Sequence, residues 1–354
     1  MTIKVETNPP YTVEIEHDTL ETIGERISQK MRAEAKILLV SDNNVFPLYG
    51  KAAETSLKSA GLQVYRFVFD AGETSKTMST VYKIYEKLSE CGFTRTDAVV
   101  NLGGGVAGDM GGFAAATFLR GIPYFQIPTS LLAQVDASVG GKTGVDLPFG
   151  KNLVGAFYQP KAVFVDSRFL KTLPGKHIRD GMGEVIKYGC ISSKKLFDNL
   201  KAGDCIQEDM QDIIYECIRH KVALVEEDTR DTGRRMILNF GHTFGHALEK
   251  LNAFKGLLHG EAVSIGMVIA AQIGEYLKIT PAGTAGQIAE VLVQYGLPTA
   301  TDYTAEEIMQ ATALDKKSDG NIINLILLKE IGEAVIHRIS RTDLSAALEA
   351  VRGV

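Results

Sequence analysis

Apolar and polar positions along the chain fall into two regimes. In the first half, short apolar runs alternate with helical periods. Val13–Ile15 alternates with polar neighbours. Lys36–Ser41 is a short apolar run of the kind carried by a parallel strand covered on both faces. Helical period follows over Leu48–Ala60 and is closed by Gly61, and Gln63–Phe69 is β-branched and aromatic. Over Thr77–Cys91, the residues Val81, Ile84, Tyr85 and Leu88 share one helical face, with Gly92 just past the end. Asp97–Leu102 reads as a further buried strand running into Gly103-Gly-Gly105, and Pro123–Ile127 and Ala162–Val165 complete the set. Strands alternating with helices predict an α/β, Rossmann-like domain with a mostly parallel sheet.

From about Pro174 the pattern becomes long and helical: Met210–Glu226, Thr243–Leu251, Glu261–Leu277, Thr284–Tyr295 and Ala305–Leu314. The exception is a hairpin predicted from Asn324–Leu328 and Ala334–His337 around Gly332. The change of period at Leu173-Pro-Gly175 sets two domains, 1–173 and 174–354, the second mainly α-helical. Ligands of such sheets bind outside the carboxyl ends of the strands, so an active site in the cleft between the domains is expected.

Composition narrows the function. With 45% hydrophobic and 23% charged residues, both halves can bury a core. A net charge of −5 with interspersed signs argues against a nucleic-acid partner. Cys91, Cys190, Cys205 and Cys217 include no Cys-x-x-Cys pair and read as reduced thiols. The first residues, MTIKVETNPPYTVEI, carry no basic segment followed by an apolar one, and the most apolar stretch, Ala262–Ile273, is short of a membrane span. A cytoplasmic protein with no membrane partner is expected.

Two groups of residues carry chemistry. Gly103-Gly-Gly-Val-Ala-Gly108 satisfies Gly-x-Gly-x-x-Gly between a strand and a helix, where small residues let backbone N–H groups approach a pyrophosphate. The usual acidic residue about 20 positions downstream is missing, that region reading Arg120-Gly-Ile-Pro. Asp42, at the end of an upstream strand, is the acid left to read a ribose, and Asp109 adds a carboxylate inside the turn. In the second half, His242 and His246 stand four apart on one helix, the spacing of paired metal ligands. Position 243 is Thr, so the metalloprotease Glu is absent. His259 follows at the start of the next helix, and three of the seven histidines thus fall within 18 residues. A divalent metal at His242, His246 and His259 is the reading that spacing favours, with a carboxylate, Glu261 or Glu184, as the alternative third ligand. Arg120, Lys142, Lys151, Lys187, Arg235 and Lys316–Lys317 lie in Gly- or Asn-containing contexts that suit a polyanionic substrate.

Taken together, Gly103–Asp109, Pro128–Asp136, Ser138–Gly144, Gly150-Lys-Asn152, Gly183–Lys187 and Leu238–His246 resemble the 3-dehydroquinate synthase family of sugar-phosphate cyclases, from about residue 36 to 330. The resemblance implies a carbon–oxygen lyase of the shikimate pathway, which leads to chorismate and the aromatic amino acids. It would convert 3-deoxy-D-arabino-heptulosonate 7-phosphate to 3-dehydroquinate and phosphate. The route is transient oxidation by NAD, phosphate elimination, re-reduction and an intramolecular aldol closure. NAD and Zn2+ (or Co2+) are the implied cofactors, and a homodimer the implied assembly. Carried over, the metal ligands fall on Glu184, His242 and His259, which moves His246 from the metal to acid–base or substrate contact. Cofactor contacts fall on Asp42, Gly72, Glu73, Lys76, Gly104, Gly105, Val106, Asp109, Thr129, Ser130, Lys142, Lys151, Phe169 and Thr172. Substrate and catalytic positions fall on Arg120, Asp136, Lys142, Asn152, Lys187, Lys221, Arg235, Asn239, His246 and one of Lys316 or Lys317. The chain departs from the family pattern at Asp231, where Glu is frequent, and at Ser130, where a second Thr is common. Its rivals are another sugar-phosphate cyclase, a metal-dependent polyol dehydrogenase and a binding protein that kept the fold.

Overall fold

The computed structural model describes residues 1–203, 210–253, 256–312 and 321–352. The chain divides into two compact units, Met1–Leu173 with Lys221–Arg230, and Pro174–His220 with Asp231–Val354. Lys221–Arg230 therefore joins the first unit, whereas the change of period assigned it to the second.

The first unit carries β1 (Thr2–Val5), β2 (Tyr11–Ile15), α1 (Thr19–Ser28), β3 (Lys36–Asp42), α2 (Lys51–Ser59), β4 (Gln63–Phe69), α3 (Met78–Glu90), β5 (Ala98–Gly103), α4 (Gly105–Thr117), β6 (Tyr124–Pro128), β7 (Lys142–Leu147), β8 (Gly150–Phe157) and β9 (Ala162–Val165). Seven strands form one sheet in the order β1-β2-β9-β6-β5-β3-β4, with only the β1–β2 pair antiparallel. Alternation along β3 explains its apolar run. Ile37 and Leu39 pack with Ile23, Ile27, Ala53 and Leu57 on one face, while Leu38 and Val40 pack with Val81, Ile84, Leu88 and Met110 on the other. From β3 the chain first adds β4 on one side, then crosses to add β5 on the other. The carboxyl ends of β3 and β5 thus form the switch point where such sheets bind ligands. The β7–β8 hairpin was not expected. Its glycines serve close strand approach: a Cβ on Gly144 would lie 2.6 Å from the Val154 carbonyl oxygen, and one on Gly155 would lie 2.1 Å from that of Thr143.

The second unit carries α5 (Gly175–Ser192), α6 (Lys194–Ala202), α7 (Gln211–Glu227, of which Lys221 onward counts with the first unit), α8 (His242–Leu251), α9 (His259–Tyr276), α10 (Thr284–Gln294), α11 (Ala305–Thr312), the hairpin β10 (Ile322–Glu330) and β11 (Glu333–Ser340), and α12 (Arg341–Arg352). α9 is buried nearly all round, from Ala262 through Ile273, as expected of a helix apolar on every face. Gly332, with φ 96°, turns the predicted hairpin. Leu314, at the end of the predicted Ala305–Leu314 helix, lies outside the described residues, as do Cys205, Lys316 and Lys317. Cys91, Cys190 and Cys217 form no disulfide among the described residues. Among the described residues no helix is long and apolar enough to cross a membrane.

Candidate metal centre and dinucleotide site

Three helices of the second unit each deliver one side chain to a common point, and a glycine adjoins each of those residues. Glu184 follows Gly183 on α5, His242 opens α8 after Gly241, and His259 opens α9 before Gly260. A Cβ on Gly183 would lie 2.6 Å from the Gly260 carbonyl oxygen, and one on Gly260 would lie 1.9 Å from that of Asp180. Gly241 has φ 80° and sits against Val263 and Met267. Only glycine permits these approaches, so α5, α8 and α9 converge where Glu184, His242 and His259 leave them. The Asp180 carboxylate accepts the Gly260 N–H at 2.6 Å and fixes the start of α9.

The Glu184 Oε1 atom lies 3.6 Å from Nε2 of His242 and 3.6 Å from Nε2 of His259, and all three ligand atoms lie within 4.8 Å of one another. Those separations are long for hydrogen bonds. They suit a tetrahedral cation whose bonds of about 2.0–2.2 Å would hold its ligand atoms about 3.4 Å apart. One carboxylate and two imidazoles are a donor set zinc and cobalt accept, so the residues present fit the ion. Glu261, the other carboxylate that spacing allowed, is occupied elsewhere: it accepts the Leu258 N–H at 2.9 Å and caps α9. His246 is exposed and joins a different trio with Glu249 and His259.

Each of the three side chains is held from behind. The His242 Nδ1 lies 3.1 Å from the Phe240 carbonyl oxygen, and the His259 Nδ1 lies 3.5 Å from the Glu249 Oε1. Lys187 donates to the Glu184 Oε2. Burial and the Lys187 ammonium hold His242 well below the ordinary imidazole range, leaving a neutral ring with a free electron pair. Burial alone would also lower His259, but the Glu184 and Glu249 carboxylates overcome it and push the ring up to about 10. Sequence reasoning missed Glu249. Its only sequence signal is its place seven residues after His242, on the same helical face.

In the first unit, Gly104 caps α4 at the end of β5, and Thr129 donates its N–H to the Gly103 carbonyl at 2.9 Å. A Cβ on Gly104 would meet the Ser130 Oγ at 3.3 Å, and Gly105 faces Ala137. Gly108, Gly111 and Gly112 let α4 settle on β5, β6 and β7, where added Cβ atoms would meet Gln126, Asn101 and Thr143 at 2.9, 1.8 and 2.5 Å. Asp42 ends β3 beside this turn, its Oδ1 accepting the N–H groups of Asn44 and Val45 at 2.8 and 3.0 Å. Its Oδ2 lies 3.5 Å from where a Gly103 Cβ would sit. Gly72, with φ 112°, precedes the turn that carries Glu73.

Lys76 gathers the neighbouring charges. It is only 4% exposed, reaches Asp109 at 2.7 Å and Asn152 at 2.6 Å, and lies 3.9 Å from Glu73, which is 3.8 Å from Lys151. Burial would lower Lys76, but the Asp109 and Glu73 carboxylates outweigh it and raise it above its ordinary range. Asp146 accepts the N–H of Asn152 at 2.8 Å and holds that residue at φ 53°. Lys221, nearly buried, donates to Asp136 at 2.6 Å (carbonyl) and 3.0 Å (carboxylate). Val106 stands in the first turn of α4, Lys142 is exposed at the start of β7, and Arg120 is exposed at φ 67°. Phe169 is core, packed against Tyr49, whose hydroxyl pairs with that of Thr172. In the second unit, Arg235 is fully buried and Asn239 half-buried on the turn leading to His242. The left-handed residue at position 231 is Asp231, half-buried at φ 58°.

Comparison with known proteins adds three findings. Residues 66–180 match the 3-dehydroquinate synthase N-terminal family and residues 181–318 its C-terminal counterpart. The 3-dehydroquinate synthase of Clostridium acetobutylicum is 48% identical over 345 residues, 96% of this chain and 97% of that one. Among solved structures, a 2-deoxy-scyllo-inosose synthase complexed with carbaglucose-6-phosphate, NAD+ and Co2+ superposes with a TM-score of 0.87 at 26% identity, covering 99% of both chains. A 2-epi-5-epi-valiolone synthase from Streptomyces hygroscopicus, with NAD+ and Zn2+ bound, gives 0.86 at 26% identity over 97% of each.

Proposed function

The chain belongs to the 3-dehydroquinate synthase family, and from that premise we propose that it converts 3-deoxy-D-arabino-heptulosonate 7-phosphate to 3-dehydroquinate and phosphate. It does so as an NAD- and metal-dependent carbon–oxygen lyase. The observation that carries this reading is the Glu184–His242–His259 triangle, with its 3.6 Å edges, in a chain that also presents a glycine turn and Asp42 at a sheet switch point. Identity of 48% to a dehydroquinate synthase, against 26% to the inosose and valiolone synthases, favours the heptulosonate substrate over those of the other cyclases.

When bound, NAD supplies a reversible hydride acceptor and the zinc or cobalt ion a Lewis acid for the alcohol oxygen being oxidised. The protein supplies position and proton traffic. Gly104, Gly105, Val106 and the start of α4 offer N–H groups to the pyrophosphate, while Asp42 accepts from a ribose hydroxyl. Gly72, Glu73, Lys76, Asp109, Thr129, Ser130, Lys151, Phe169 and Thr172 shape the rest of the cofactor's bed. Glu184, His242 and His259 hold the ion. His246, exposed beside it, moves the proton at the reacting carbon. Arg120, Lys142, Lys187, Lys221 and Arg235 meet the substrate's phosphate and carboxylate, and Asp136, Asn152 and Asn239 its hydroxyl groups. We take the enzyme to work as a cytoplasmic homodimer without nucleic acid or membrane, and sedimentation of the purified protein tests the dimer.

The central test is direct. Purified protein given NAD, zinc and the heptulosonate phosphate should release phosphate without accumulating NADH. Steady NADH formation would identify a polyol dehydrogenase instead, and no phosphate release from this substrate overturns the proposal.

A further inference from the structure

Glu249 is not a ligand in the triangle, yet its carboxylate reaches one of the ligands. It is 3% exposed and lies on α8 two turns beyond His242, on the same face of the helix. Its Oε1 is 3.5 Å from Nδ1 of His259, while Nε2 of that ring, on its far side, is the atom 3.6 Å from Glu184. The two imidazoles of the triangle are therefore backed differently. His242 has a main-chain carbonyl, that of Phe240, behind its Nδ1, and His259 has a buried carboxylate. His259 opens its helix, where the ring has no preceding turn of α9 to lean on.

Building on the metal centre read above, we propose that Glu249 is a positioning residue for it. Glu249 accepts the Nδ1–H of His259, which fixes the tautomer that leaves the Nε2 electron pair for the ion. It also holds the ring plane and makes that nitrogen the stronger donor of the two. A neutral carbonyl fixes a tautomer, whereas a carboxylate fixes it and raises basicity. His246, whose ring lies 6.1 Å from that of His259, shares this pocket and faces the same carboxylate. Glu249 thus orders the imidazole that binds the ion beside the imidazole that moves the proton.

The experiment uses full-length protein stripped of metal and titrated with Co2+ against a competing chelator. Affinity and the visible cobalt spectrum are both recorded. Wild type should take one ion per chain with the strong absorption of a tetrahedral site. Glu249→Gln should bind about tenfold more weakly and Glu249→Met about a hundredfold, with NAD affinity unchanged. In the zinc form, nitrogen NMR should show the His259 proton on Nδ1, slow to exchange in wild type and fast in Glu249→Gln. Variants that match wild-type affinity within threefold, or a His259 proton on Nε2 in the wild-type zinc form, overturn the inference. The exchange comparison between wild type and Glu249→Gln decides even if the methionine variant does not fold. Failure of wild type to bind Co2+ at all would instead remove the metal centre itself, so the two failures are distinct.

Discussion

Replacing Gly260 with alanine should separate metal affinity from the rest of the protein. The new Cβ would sit 1.9 Å from the Asp180 carbonyl oxygen and 2.8 Å from its carbon, against 3.4 Å for an ordinary contact. Relief demands a displacement of about 1.5 Å, and the obstacle is backbone, which cannot rotate aside. His259 is the preceding residue, and a shift of that size takes its Nε2 out of reach of an ion bonded at about 2.0–2.1 Å. Structural zinc sites bind with roughly 10–16 kcal/mol shared among four ligands, or about 3 kcal/mol for each. Losing one corresponds to weakening on the order of a hundredfold. Overpacking adds a stability cost of about 1–3 kcal/mol. The control is Gly286→Ala on α10, where nothing lies within 4 Å of the added carbon and helix propensity alone should make the change neutral or slightly stabilising. Chelator competition with Co2+ measures the first effect and thermal unfolding the second. A Gly260→Ala protein that binds cobalt within threefold of wild type would refute the claim that the close approach of α9 to α5 sets the ligand geometry.

Acidity gives a second handle. With His259 raised to about 10, an incoming cation must displace its proton, so below that value affinity should fall about tenfold for each pH unit of acidification. Calorimetry in two buffers of different ionisation heat should find one proton released per ion, and release of none would contradict the assignment. His259→Ala should weaken metal binding by at least about a hundredfold, whereas His246→Ala should keep the metal and lose turnover; chelator competition with Co2+ checks the first and metal content by atomic absorption the second. Gly111→Ala would drive a Cβ to 1.8 Å from the Asn101 Oδ1 and lift α4 from β5. NAD affinity should drop at least tenfold and unfolding should come earlier by about 1–3 kcal/mol, with cobalt binding by the second unit untouched.

The central parallel strands were legible because two faces are covered and their own residues must therefore be mostly apolar, as Ile37–Val40 in β3 and Ala98–Val100 in β5 are. The β7–β8 hairpin was not, since Gly144 and Gly155 matter only to one another across the ladder, and no local pattern announces a partner 11 residues away. In the metal centre the histidines were visible and the ligand set was not. The four-residue rule assumes two side chains leaving a regular helix in the same direction. His242 is instead the first residue of α8 with its Nδ1 turned toward the Phe240 carbonyl, and its ring stands at 89° to that of His246. That rotation aims Nε2 at α5, where Glu184 waits 58 residues earlier in the chain, a separation over which spacing cannot choose between it and Glu261. The residues offered Glu184 and Glu261 alike, family resemblance chose Glu184, and Glu249 came only from the coordinates.

The glycines beside the three ligands explain why the sequence signals nonetheless clustered. A site built from helix ends needs the helix axes closer than ordinary side chains allow, so each ligand is bought with an adjacent residue lacking a Cβ. The same device recurs in the first unit, where Gly108, Gly111 and Gly112 bring α4 onto the sheet so that its N-terminus stands at the end of β5. At the metal centre the geometry is therefore fixed largely by backbone against backbone, which deforms far less than side-chain packing, whereas the glycines of α4 close on the side chains of Gln126, Asn101 and Thr143. It follows that substitutions at the glycines beside Glu184, His242 and His259 should act on ligand affinity more than on fold stability, while substitutions of the apolar residues behind them, such as Val263, should show the opposite ratio. Glu249 belongs with the glycines on this argument, because what it fixes is the direction of a ligand rather than the cohesion of a core.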